Sequence, residues 1–184
     1  MNSKSKNFKL KNLAVIAMLT AMAYVSMITI RIIFPAAPFL TYDPKDVFII
    51  IGGFLYGPLV VFPMSAALSL IEMQVSGTQL IGLVMNIAST CLFAFPAAFI
   101  YKLNRTVKGA AHGLAAGVII SASLMMPLNY LLTPLYTGAS REAVLAMIMP
   151  ILLPFNLFKC IYNAALTMLV YKRLSNLLRR LNLG

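Results

Sequence analysis

Apolar residues fall along this chain in six runs, at 13–34, 47–56, 59–73, 80–102, 110–136 and 143–173. Short stretches rich in Pro, Gly, Lys, Arg or Asp separate them. A hydrocarbon core about 30 Å thick requires about 20 apolar residues in a helix, so the first, fourth, fifth and sixth runs predict complete spans. The second and third are shorter. The second is interrupted by Gly52-Gly53 and closed by Gly57-Pro58. Short, glycine-interrupted helices inside a bundle leave room for a cavity. The expectation is an all-α, polytopic membrane protein: a six-helix bundle forming one membrane domain over 1–184.

Composition agrees. Hydrophobic residues make up 61% of the chain and charged ones 10%, against about 45–50% and about 25% in soluble domains. That leaves too little polar surface to cover a water-soluble globule. The net charge of +11 raises nucleic acid as a partner. The basic residues, however, sit at the ends of apolar runs and form no aromatic-interleaved patch, which argues against it.

Charge also gives an orientation. Lys4, Lys6, Lys9, Lys11, Lys102, Arg105, Lys108, Lys172, Arg173, Arg179 and Arg180 share one side of a six-helix path. The opposite loops carry Arg31, Lys45 and Arg141, balanced by Asp43, Asp46 and Glu142. The positive-inside rule then places both termini in the cytoplasm. Loop 39–46 and the turns at 76–78 and 137–142 face outside. The basic stretch 1–12 leads into a run too long for a signal-peptide core and reads as the approach to a retained first span. The basic, amphipathic tail 174–184 is expected on the membrane surface.

Catalytic chemistry is thin. Histidine occurs once, as His112, and carboxylates are confined to Asp43, Asp46, Glu72 and Glu142. There is no Ser/His/Asp set, metal-ligand spacing or Walker motif. Cys91 and Cys160 read as small hydrophobes. An enzyme is not expected, and no cofactor is implied.

Binding chemistry is richer. Loop 39–46 mixes Phe39, Leu40, Thr41 and Tyr42 with Asp43, Pro44, Lys45 and Asp46, and a plain connector needs no aromatics. It is expected to act as an external lid between helices 1 and 2. Asp46 either caps the next helix or meets a ligand, and Glu72 is expected to snorkel or cap. Asn86 either bridges helices or reaches a ligand. Asn129 lies towards the outer end of the fifth long stretch. In the sixth, Asn156 and Lys159 are three residues apart and share a helix face, roughly four turns below Glu142. An ammonium group at that depth costs about 2.5 kcal/mol or more. Its stem is too short to reach an interface, so Lys159 is expected to face a cavity. Ala17 and Ala21 form a small-xxx-small pair that lets another helix approach, within the bundle or on a second membrane protein.

Several of these residues carry a family resemblance. Asn129-Tyr130 with Pro134-Leu135-Tyr136, and Pro154-Phe155-Asn156-Leu157-Phe158-Lys159, resemble the last two helices of RibU-type, riboflavin-binding S components of energy-coupling-factor (ECF) vitamin transporters. Ser76-Gly77-Thr78 with Gly82 and Asn86 is similar to that family's turn before helix 4 and to helix 4 itself. Ala17-Met18-Leu19-Thr20-Ala21 resembles its alanine docking motif. The loop departs from the family pattern: Thr41-Tyr42-Asp43-Pro44-Lys45-Asp46 stands where a Lys-hydrophobic-Asp-Phe-Ser-Asp type of loop occurs.

The resemblance implies a substrate-capture subunit that binds riboflavin from outside as transported ligand. Phe39, Leu40, Thr41 and Tyr42 would close over it, and Asn86, Asn129, Asn156 and Lys159 would meet its polar edges. Ala17 and Ala21 would dock on an energising module of a transmembrane coupling protein and two ATPase subunits. The changed loop keeps another vitamin-like heterocycle open. A stand-alone secondary carrier would need ion-coupling carboxylates near the midplane, for which Glu72 is the only sequence candidate.

Overall fold

The computed structural model describes residues 3–76 and 79–180. Gly77 and Thr78 of the expected turn, and the side chains of the 174–184 tail, lie outside the described residues. The elements are α1 (Ser3–Thr29), β1 (Ile32–Ile33), β2 (Thr41–Tyr42), α2 (Lys45–Tyr56), α3 (Val61–Ser76), α4 (Leu80–Leu103), α5 (Val107–Thr137), α6 (Arg141–Met147) and α7 (Leu153–Arg180). A single 3₁₀ turn, Pro58–Val60, leads into α3, and a π-helical turn, Ile148–Leu152, joins α6 to α7.

Among the described residues, five helical stretches are long and apolar enough to cross a membrane: Leu10–Thr29, Pro58–Val75, Leu80–Leu103, Val107–Leu135 and Arg141–Arg173. The chain is a multi-pass membrane protein. Large apolar side chains such as Leu59, Phe62, Ile119 and Leu135 are exposed on its outer faces, as lipid contact requires.

The helix left out of these five stretches, α2, is different. Twelve residues rise about 18 Å, well short of a bilayer core. Nine of them are buried. A helix apolar on all sides belongs in the middle of a bundle, and α2 packs against α1, α3, α4 and α7. Gly52-Gly53 does not interrupt it, contrary to the sequence expectation. A Cβ at Gly53 would lie 2.8 Å from Ala98 Cβ, so this glycine permits close approach to α4. The helix stops at Gly57, where φ is +95°, a conformation glycine adopts without steric cost.

The first helix also ends sooner than expected, at Thr29 and not near Phe34. The run Ile28-Thr29-Ile30 is β-branched, which disfavours helix and favours extended backbone. The chain then turns back as a small antiparallel hairpin, with Ile32 opposite Tyr42 and Ile33 opposite Thr41. Ring contacts seat this hairpin on α7: Phe34 meets Phe155 at 5.5 Å, and Tyr42 meets Phe158 at 5.7 Å and Tyr162 at 5.4 Å. Pro150 and Pro154 lack amide donors. The irregular turn between α6 and α7 spans the first of them and ends just before the second.

Candidate ligand-binding cavity

Below the hairpin lies a cavity of about 330 Å³, walled by residues of the hairpin, α3, α4, α5 and α7. Phe39, Leu40 and Thr41 close one side, and Asn86, Asn129, Asn156 and Lys159 line the interior. The structure thus brings seven of the eight ligand candidates to one space. Tyr42 is absent from the wall.

Its register explains this. Neighbours along a strand point to opposite faces. Thr41 therefore faces the cavity while Tyr42 is buried on the other side. Its hydroxyl donates to Asn163 Oδ1 at 3.1 Å. Burial foremost, then Tyr162, Asp43 and Asp46, pushes the Tyr42 phenol well above its ordinary range, which keeps it a donor. Tyr42 anchors the hairpin.

The cavity wall mixes apolar and polar groups in helical register. Gly82, Met85, Asn86 and Ser89 come from one face of α4, Met125 and Asn129 from α5, and Phe155, Asn156 and Lys159 from α7. The two asparagines of α5 and α7 are held alike. Asn129 Nδ2 donates to Met125 O and Asn156 Nδ2 to Leu152 O, each at 2.7 Å. Thr133 also donates to Asn129 Oδ1 at 3.2 Å. These local bonds fix both carboxamides on the cavity side of their helices.

Lys159 is 6% exposed, so it neither snorkels nor faces lipid. Its one partner among the described residues is Asp46 Oδ2, at 3.9 Å. That distance permits charge attraction but is too long for a hydrogen bond. Asp46 is satisfied elsewhere: Thr90 donates to Oδ1 at 2.7 Å, and Asn163 to Oδ2 at 3.3 Å. The carboxylate therefore balances the charge of Lys159 while leaving its three N–H donors available to the cavity.

Three sequence expectations are corrected. Asp46 does not cap α2; the cap position is Pro44, with no side-chain cap bond. Asp46 is instead a buried centre joining α2, α4 and α7. Glu72 does not snorkel. It is buried, accepting from Lys45 Nζ at 2.9 Å and from Asn86 Nδ2. Lys45, expected in an external loop, is 1% exposed and also pairs with Asp43 Oδ2 at 3.5 Å. Three of the chain's four carboxylates are thus buried and paired with two lysines, Asp43 and Glu72 with Lys45 and Asp46 with Lys159, and Asn163 joins the two groups by donating to Asp43 O and Asp46 Oδ2.

Several wall residues escaped sequence reasoning: Arg31, Asp43, Glu72, Gln79, Met85, Met125 and Phe155. The apolar ones were within reach, because Met85 and Met125 precede Asn86 and Asn129 by one and four residues, and Phe155 adjoins Asn156. Glu72 also carried a signal. A carboxylate in an apolar helix requires a cation, and Lys45 was available. Ala17 and Ala21, the docking candidates, are exposed on α1, while Leu19, Ala23 and Met27 on the other face are buried.

Residues 11–171 match the model of a family described as the substrate-specific component of ECF transporters. The riboflavin transporter FmnP of Bacillus subtilis (strain 168) is 32% identical over 177 residues, covering 90% of this chain and 93% of that protein. The riboflavin transporter RibU of Staphylococcus aureus (strain TCH60) is 32% identical over 178 residues, covering 93% and 94%. A solved structure of the S component of a bacterial ECF transporter superposes with a TM-score of 0.81 at 29% identity, covering 92% of this chain and 98% of that one.

Proposed function

Because the chain belongs to the substrate-specific components of ECF transporters, we propose that its cavity captures riboflavin for uptake and that Lys159 is the principal polar contact. One observation carries this reading: a buried ammonium group, charge-balanced but without a hydrogen bond among the described residues, lines the cavity. An unsatisfied buried donor is costly, and a ligand carbonyl or ring nitrogen would satisfy it. The isoalloxazine ring system supplies several such acceptors on a flat apolar body. Met85, Met125, Phe155, Phe39 and Leu40 offer that body its apolar surface, with Asn129 and Asn156 to orient it. Ligand sites of this kind are mostly apolar with a few placed polar groups. The names of the two relatives support the same ligand.

In this reading Phe39, Leu40 and Thr41 form the external closure, with both termini cytoplasmic. The exposed Ala17–Ala21 face of α1 docks the coupling protein of an ATP-driven module. The family is one of transport components, not enzymes. Mass spectrometry of the small molecule that co-purifies with the protein tests the substrate. Riboflavin is the expected mass, and a different heterocycle would overturn the assignment. Ala17→Trp with Ala21→Trp is expected to leave riboflavin affinity within about twofold and to abolish ATP-dependent uptake by the reconstituted complex. Uptake at the native rate would refute docking through this face.

A further inference from the structure

The pairing of Glu72 is one-sided. Lys45 Nζ and Asn86 Nδ2 both donate to Oε2, and among the described residues no donor reaches Oε1. Glu72 nevertheless forms part of the cavity wall, as Asp43 does, while Lys45 does not. The lysine thus grips two wall carboxylates from behind: Glu72 at 2.9 Å and Asp43 at 3.5 Å, with its own backbone N–H donating to Asp43 Oδ1 at 3.3 Å. Two donors fixed on one oxygen orient the carboxylate plane and leave the other oxygen as an acceptor with no partner among the described residues.

We propose that Glu72 is a specificity-determining acceptor for the captured ligand, and that Lys45 is the positioning residue that holds it. Glu72 Oε1 takes a hydrogen bond from an N–H or O–H of that ligand. This rests on the flavin reading above and adds a requirement to it. Lys159 asks the ligand for an acceptor, and Glu72 asks for a donor. Riboflavin carries donors of two kinds, the imide N–H of its ring and the hydroxyls of its side chain. A charged acceptor already anchored from behind makes a strong hydrogen bond at little ordering cost. A ligand lacking the donor would leave a desolvated carboxylate oxygen unsatisfied, the arrangement by which polar sites discriminate most sharply.

Glu72→Gln is a pointed probe. With Lys45 and Asn86 both donating, the glutamine carbonyl takes the Oε2 position. Its NH₂ then occupies the Oε1 position, replacing an acceptor with a donor. The experiment measures equilibrium binding by the full chain in nanodiscs of three ligands: riboflavin, riboflavin methylated at the ring imide nitrogen, and a flavin with a methyl group in place of the hydroxylated chain. The native protein is expected to bind at least one analogue tenfold or more weakly than riboflavin. In Glu72→Gln that ratio should fall at least threefold, and the analogue affected identifies the ring N–H or the hydroxyls as the donor. Lys45→Met should lower the same ratio, and Lys45→Arg should restore it. A merely structural lysine would alter affinity for all three ligands in proportion. If Glu72→Gln changes neither ratio by threefold, the proposal is overturned even where Lys45→Met fails to fold. A native protein that binds no flavin would instead overturn the substrate reading.

Discussion

Two lysines buried in the same protein are held in opposite ways. Lys45 is enclosed by carboxylates, at 2.9 Å from Glu72 and 3.5 Å from Asp43, and does not line the cavity. Lys159 has one carboxylate at 3.9 Å and the cavity beside it. A buried ion pair at contact distance is part of the structure: removing one partner strands the other without compensation. A buried charge that is neutralised but not hydrogen-bonded is prepared for a ligand. Depth and charge are alike for the two residues, so function is decided by what remains unsatisfied.

Truncating each lysine and reading affinity and stability separately distinguishes the two roles. Lys159→Ala should weaken riboflavin binding by a factor on the order of 100 or more, since losing hydrogen bonds from a charged donor costs about 1.5–3 kcal/mol and the orphaned acceptor adds to that. Its effect on thermal unfolding should be the smaller of the two, because Asp46 keeps Thr90 and Asn163. Lys45→Ala should do the reverse. Breaking a buried pair typically costs about 3–5 kcal/mol, so its unfolding midpoint should drop further than that of Lys159→Ala while affinity falls by only about tenfold. Equal losses of affinity would contradict the assignment of separate roles.

A smaller effect sharpens the contrast between neighbours in the hairpin. Tyr42→Phe removes the hydrogen bond to Asn163 and keeps the ring contacts with Phe158 and Tyr162. A stability loss of about 0.5–1.5 kcal/mol is expected, with riboflavin affinity within about threefold of native. A large loss of affinity would return Tyr42 to the ligand site.

The all-α, multi-pass architecture was legible because bilayer thickness sets a length scale that apolar runs reveal directly; the third run, expected to be too short, instead joins the turn before it in a membrane-length stretch, Pro58–Val75. Lys159, Asn156 and Asn129 were legible for a related reason: a polar group deep in an apolar run requires an explanation. The hairpin was not foreseen, since a proline-rich loop does not display which of Thr41 and Tyr42 faces inward until β1 and β2 pair. Asp46, Lys45 and Glu72 were misread because charges near the ends of apolar runs suggest an interface. Only packing shows that α2 is a buried, short helix that carries its first-turn charges into the interior. Gly52-Gly53 misled likewise, since glycine marks close approach as often as a break.

The most direct test of the central claim is a riboflavin titration of the ligand-free native protein and of Lys159→Ala, both monodisperse, followed by quenching of flavin fluorescence. Native binding tighter than about 1 µM is expected, a modest affinity on the scale of specific ligand sites, with the variant at least about 100-fold weaker. Native binding of micromolar strength or worse, or a variant that binds as the native protein does, would contradict the claim.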